Sequence, residues 1–233
     1  MKVYEIKIKV FILSSIKLEQ TLEKISMFID MCMAEENIWL EYHKSKQYKE
    51  YTFSSFFPLE KEKKYLKDKV YTFKIRTINE KLAKYLYETL SKFRNNDMQG
   101  LTSEIKILQK KMLKKIYSIT PILMKSDGGY WKYCMSFEEF EKRLQVNCIK
   151  KWRYFCNILK DEKNMDMEIY TGLRFLNIKP VPIYYKNMVL RGDKIELTIS
   201  NHPIAQEIAY MILGTGLLEN SSRGLGYVNY QYY

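Results

Sequence analysis

Histidine is scarce in this sequence, with two residues, His43 and His202, among 233. Chemistry that needs an imidazole near neutral pH must therefore use one of them. Cysteine is sparse as well. Cys32, Cys134, Cys148 and Cys156 show no CxxC spacing, which argues against a zinc ribbon or a dithiol motif and makes reduced thiols in a cytoplasmic protein the expectation. No uninterrupted apolar run approaches the ~18–20 residues of a membrane helix. Residues 2–13 alternate apolar and charged side chains, unlike the solid apolar core of a secretory signal. No membrane partner is expected. Acidic side chains are outnumbered, 27 against 39 lysines and arginines. The tightest acidic group, Asp161, Glu162, Asp166 and Glu168, surrounds a lysine-bearing turn and reads as solvated loop charge, because a metal site needs converging ligands. Neither a metal nor another cofactor is expected.

The sequence is rich in apolar, basic and tyrosine residues. Apolar residues make up 46% of the chain, enough for ordinary cores. The net charge of +12 suits a polyanion, since a basic groove gains affinity when counterions are released. A composition rich in lysine, isoleucine, asparagine and tyrosine gives the same excess without any partner. Basicity alone leaves the two readings even.

Periodicity supplies the fold class. Tyr4, Ile6, Ile8 and Val10 alternate with Glu5, Lys7 and Lys9, a half-buried strand. Leu18, Leu22, Ile25, Ile29 and Cys32 or Met33 form a helical stripe, and residues 38–43 read as a second short helix. Strands are expected at 51–54 and 70–75. Asn79 then caps a helix striped by Leu82, Leu86, Leu90 and Phe93, and a fourth strand covers 104–108. The order is β-α-β-β-α-β, a ferredoxin-like unit. The pattern then recurs. A strand spans 117–123, with Pro121 at an edge or bend. Ser136 caps a long helix carrying Phe137, Phe140, Leu144, Cys148, Trp152, Phe155 and Leu159. Residues 167–178 and 182–200 supply the middle strands, with a turn at Gly192 and Asp193. A helix at 203–213 and a strand from Tyr227 close the set. We therefore expect an α+β fold of two tandem ferredoxin-like (RRM-like) domains, 1–114 and 115–233.

Four of the nine glycines, Gly214, Gly216, Gly224 and Gly226, bracket a polar loop containing Asn220, Ser221, Ser222 and Arg223. Glycine permits positive φ and close backbone approach, so loop amides can face a phosphate, and Arg223 adds a charge suited to bidentate contact. A dinucleotide fingerprint needs its glycines after a strand and before a helix; here the order is reversed. Residues 223–230 nearly spell the signature of an RNA-recognition motif, with Leu225 and Tyr227 as departures. That signature belongs on an interior strand, whereas this one falls at the end of the second β-α-β-β-α-β set. A flexible surface loop is the bland alternative.

His202 precedes Pro203 at a helix start and reads as a cap or surface residue. His43 ends a short helix and opens the polar run 44–49. An imidazole's charge change near neutral pH suits proton transfer, although a lone histidine is more often structural. Lys150, Lys151 and Arg153 on the long helix, and Lys110, Lys111, Lys114 and Lys115 near the domain junction, form either a phosphate track or a solvated face. Trp152 falls on the apolar stripe and is expected in the core.

The order of helix, glycine pair, polar loop, glycine pair and closing strand resembles the glycine-rich loop of the RAMP superfamily. The similarity is closest to the CRISPR-associated endoribonucleases that cut repeat transcripts into guide RNAs. The lead-in at 178–183 and the step Thr120, Pro121, Ile122 match that family's habits. In this family a histidine often precedes a lysine and an aromatic-Ser/Thr strand, and His43 and Lys49 occupy the matching places. The resemblance implies metal-independent cleavage of CRISPR repeat RNA (pre-crRNA) by 2′-OH attack, leaving a 2′,3′-cyclic phosphate and a 5′-OH. It implies phosphate contacts from the loop, namely Gly214, Gly216, Asn220, Ser221, Ser222, Arg223, Gly224 and Gly226. Some relatives carry a tyrosine in the helix before the histidine. The nearest position here is Phe28, which cannot exchange a proton, so the base stays open between Tyr42 and Tyr48. A non-catalytic RNA-binding subunit of an effector complex and a general RNA-binding module are the alternatives. Other effector subunits, or a second copy in a homodimer, are the protein partners the resemblance allows.

Overall fold

A computed structural model describes residues 1–158, 167–185 and 188–233. Leu159 and the acidic residues Asp161, Glu162 and Asp166 lie outside the described residues. The chain divides into two compact units. One comprises Lys2–Leu108 with Ser222–Gly224; the other comprises Met1, Gln109–Ser221 and Leu225–Tyr233.

In the first unit, β1 (Tyr4–Ile12) and the two-residue β2 (Ile16–Lys17) lead into α1 (Thr21–Met33) and α2 (Asn37–Lys44). Then come β3 (Tyr51–Phe53), the short β4 (Lys64–Tyr65), β5 (Val70–Thr77), α3 (Glu80–Thr89) and β6 (Met98–Ile107). The main sheet runs β3-β5-β1-β6, and β2 pairs with β4 apart from it. In β1 the alternation works as expected. Ile6 faces Ile75 on one side and Ile105 on the other, and Tyr4, Ile6, Ile8 and Val10 enter the core. A one-residue slip would drive Glu5 and Lys7 into that core, so the apolar pattern enforces the register. On α1, Ile25, Phe28, Ile29 and Cys32 are buried at three- and four-residue steps. Each such apolar side chain contributes roughly 1.5–3 kcal/mol when removed from water. Asn79 caps α3 by accepting from the Leu82 amide at 3.0 Å.

Glu5 lies on the opposite face of β1 and is 3% exposed. Arg76 Nε and Nη2 each lie 2.8 Å from its Oε2, while Lys74 and Lys106 approach Oε1 at 3.2 and 3.3 Å. Burial pushes the Glu5 carboxyl up, but these three cations outweigh it and hold it below its usual value.

In the second unit, β7 (Leu113–Ser118) precedes α4 (Phe137–Phe155), followed by β8 (Tyr170–Phe175), β9 (Val181–Tyr185), β10 (Met188–Gly192), β11 (Ile195–Ile199), α5 (Pro203–Thr215) and β12 (Val228–Tyr232). The main sheet runs β12-β7-β11-β8. Counted along each unit, both sheets place the last strand beside the first, and the first beside the third: the ferredoxin-like order. β9 and β10 form a separate hairpin, so the stretch 182–192 does not supply a middle strand as expected. β7 also ends before Pro121, which has no N–H for a ladder. Ser136 caps α4 through the Glu139 amide at 3.2 Å, and the His202 ring caps α5 through the Ile204 amide at 3.3 Å. Phe140, Leu144 and Cys148 are buried along α4, but Trp152 is only partly so, and the buried neighbour is Lys151. All four cysteines are free. No described helix is long and apolar enough to cross a membrane.

Candidate active site

The tight turn after α1 brings α2 back beside it. His43 therefore lies on the last turn of α2, opposite the face of α1 that carries Ser26 and Asp30. Its Nδ1 is 3.1 Å from Asp30 Oδ1, and the side chain is 30% exposed, open enough for a ligand to reach. The contact lies in ion-pair range without the alignment of a hydrogen bond, and Oδ1 has no hydrogen-bonding partner among the described residues. Asp30 Oδ2 accepts from Arg223 Nη1 at 2.6 Å and lies 3.4 Å from Ser26 Oγ. Arg223 Nη1 also donates to Ser26 Oγ at 2.9 Å. Ser26 and Asp30 stand one turn apart on a helix, the spacing that lets both meet one guanidinium.

Lys49 folds back under α2. Its ammonium donates to the Tyr42 carbonyl, to the carbonyls of His43 at 3.0 Å and Ser45 at 2.9 Å, and to Ser45 Oγ at 3.1 Å. It also sits 4.7 Å from the centre of the Tyr42 ring. A cation on orphan carbonyls at a helix C-terminus satisfies both hydrogen bonding and the helix dipole. Burial lowers the lysine's proton affinity, an effect that Asp30 opposes and Arg223 reinforces. The Tyr42 hydroxyl accepts from the Glu50 amide at 2.8 Å, and its ring packs on the core. Tyr48 is exposed. Phe28 is fully buried, edge-on to Phe73 and Phe93.

The loop glycines pack closely against the chain itself. Gly224 has φ +79°, and a Cβ there would meet Phe53 at 2.5 Å and Leu22 at 3.0 Å. Gly226 has φ +66°, and its Cβ would meet the Leu217 carbonyl oxygen at 2.0 Å. Both positions need glycine because the chain itself fills the space. The Gly226 amide donates to Pro121 O at 2.9 Å and the Gly216 amide to Ile212 O at 2.9 Å, so neither is open to a phosphate. Gly214 is buried in the last turn of α5 and Ser221 beneath the loop surface. Asn220 takes positive φ at 58°, and its carbonyl accepts from the Leu225 amide at 3.4 Å. Ser222 hydrogen-bonds the Tyr51 hydroxyl, whose pKa burial drives well above its usual value.

On α4, Lys150 is exposed and Arg153 partly so. Lys151 is 4% exposed, and its ammonium donates to the carbonyls of Gly216, at 3.2 Å, and Leu218. Burial lowers its pKa to about 8. A lysine held inside the loop cannot reach an RNA phosphate, so its expected part in a phosphate track gives way to a structural one. Among the described residues, no three histidine, cysteine or acidic side chains converge.

Asp30 and Ser26 are the site residues that reading the sequence passed over. Their signal is a polar pair four residues apart interrupting the otherwise apolar stretch 25–33.

Residues 103–230 match the family described as CRISPR associated protein Cas6, C-terminal. The chain belongs to the Cas6 family. Among solved structures, it is similar to a RAMP protein described as binding different RNA substrates, with a TM-score of 0.70 and 20% identity over 98% of this chain and 99% of that one. A Cas6-related protein from Pyrococcus furiosus gives 0.67 and 22%, covering 98% of each chain. A Cas6 product complex gives 0.64 and 13%, covering 99% of this chain and 100% of that one. These likenesses carry the fold: the Cas6 arrangement of tandem ferredoxin-like domains. No curated protein matches the chain.

Proposed function

We propose that this Cas6-family protein binds CRISPR repeat RNA and cuts it at His43 without a metal ion. The observation that carries the reading is a part-exposed imidazole on the last turn of α2, with Arg223 gathered beside it on Asp30. In this reaction the 2′-oxygen loses its proton and bonds the adjacent phosphorus. The bond to the 5′-oxygen breaks, and that oxygen takes up a proton. His43 carries one of these protons, a contribution of about 10²–10⁴-fold. Arg223 supplies charge near the phosphorane. Lys49, occupied by the carbonyls of α2, holds the histidine's turn in place and does not meet the phosphorane. Of the two tyrosines considered as base, Tyr48 is the exposed one, whereas Tyr42 is engaged by the Glu50 amide.

The test is single-turnover cleavage of a repeat transcript in excess EDTA, with end-group analysis. A 2′,3′-cyclic phosphate and a 5′-OH are expected, and His43→Ala should slow cleavage about 10²–10⁴-fold with RNA affinity within a few fold. Tight binding with no cleavage by the wild type would favour the non-catalytic RNA-binding subunit. Loss of activity in EDTA, restored by Mg²⁺, would overturn the proton-transfer mechanism.

A further inference from the structure

The imidazole of His43 has two nitrogens, and the one that carries the proton decides what the other can do. Asp30 Oδ1 is 3.1 Å from Nδ1. A carboxylate only accepts, so it favours the tautomer with hydrogen on Nδ1 and leaves Nε2 for chemistry. Oδ1 is closed off from solvent and has no other hydrogen-bonding partner among the described residues. Leaving such a buried acceptor unmet is costly, and more so when it is charged. A small ring rotation that aims Nδ1–H at Oδ1 removes that cost. The carboxylate is not free to turn away, because Arg223 Nη1 holds Oδ2 at 2.6 Å and Ser26 Oγ stands 3.4 Å from the same oxygen.

We infer that Asp30 is the positioning residue of the site: it locks His43 in the Nδ1–H tautomer and turns Nε2 outward, with Arg223 and Ser26 fixing the carboxylate. The consequence for cleavage rests on His43 being the proton carrier. The tautomer does not rest on that, and this separates the two claims.

The chain's two histidines make the test direct. Protein labelled with ¹⁵N-histidine shows two rings, and His43→Gln identifies which is which. His202 Nδ1 accepts from the Ile204 amide, so its ring must carry hydrogen on Nε2 and serves as the opposite-tautomer control. Long-range ¹H–¹⁵N spectra at about pH 8.5, above the ordinary histidine pKa of about 6.5, should show Nδ1–H for His43 in the wild type. Asp30→Ala should shift it toward Nε2–H and slow single-turnover cleavage by about 10–10²-fold at unchanged RNA affinity. Asp30→Glu should restore part of both. Should Asp30→Ala fail to fold, Asp30→Asn carries the same comparison, and the wild-type spectrum needs no variant. An Nε2–H ring at His43 in the wild type overturns the inference, as does a tautomer indifferent to Asp30→Ala. A tautomer shift with no change in cleavage rate supports the Asp30 contact and overturns His43 as the proton carrier.

Discussion

Arg223 reaches Asp30 across 193 positions of sequence, with Nη1 2.6 Å from Oδ2. The same carboxylate faces His43. The glycine-rich loop and the candidate catalytic residue are therefore coupled through one side chain.

Arg223→Ala should consequently affect more than binding. We expect weaker RNA affinity and a salt slope of log K reduced by about 0.7–0.9. The single-turnover rate should also stay depressed at saturating protein, because Asp30 loses the group that orients it. Arg223→Lys should keep most of the salt slope and recover part of the rate, since one nitrogen, Nη1, makes both contacts and an ammonium can supply such a donor. Full recovery of the rate at saturation would show that the loop acts on binding alone.

Gly224→Val and Gly226→Ala should lower the melting temperature before they alter RNA contacts. Each puts a Cβ against atoms already in place, at a positive φ. Strain and overpacking together should cost about 2–5 kcal/mol. A thermal transition near the wild-type value with lost RNA affinity would instead mean that the glycines make room for phosphate.

Neighbouring lysines on α4 should behave differently. Lys150→Ala removes an exposed charge and should reduce the salt slope of RNA binding without affecting folding. Lys151→Met should leave that slope unchanged and destabilise the protein by about 1–3 kcal/mol, because the carbonyls of Gly216 and Leu218 lose their donor. Denaturant melts and salt titrations on both variants would separate these outcomes.

Glu5 predicts an acid limb in stability. Its folded pKa is lowered from the usual 4.5, so the unfolded chain binds its proton first as pH falls. The contribution is complete above 4.5 and disappears as pH drops through the lower folded value. Glu5→Gln should remove that part of the pH dependence. At neutral pH it should also cost about 3–5 kcal/mol, because the buried Arg76 loses the carboxylate that neutralises it. Melting temperatures measured from pH 7 downward in both proteins would show whether the two curves converge.

The sequence by itself determined most of the elements and their order, though neither the separate β9–β10 hairpin nor the short β2–β4 pair. Alternation in β1, the three- and four-residue steps on α1 and α4, and caps at Asn79, Ser136 and His202 are local properties, set by backbone geometry and by which face meets water. The scarcity of histidine narrowed the candidates to two, and it was the resemblance at His43 and Lys49 that singled out His43. Tertiary structure alone decided what surrounds it. Asp30 lies 13 positions from His43 and 193 from Arg223, and no periodicity relates such positions; the folding back of α2 beside α1 and the placement of Arg223 make them neighbours. Lys49, Lys151, Gly224 and Gly226 carry the same lesson. Residue type limits what each can do, but whether an ammonium meets a carbonyl or a phosphate, or a glycine leaves room for a ligand or for Phe53, depends on which buried atoms reach it first.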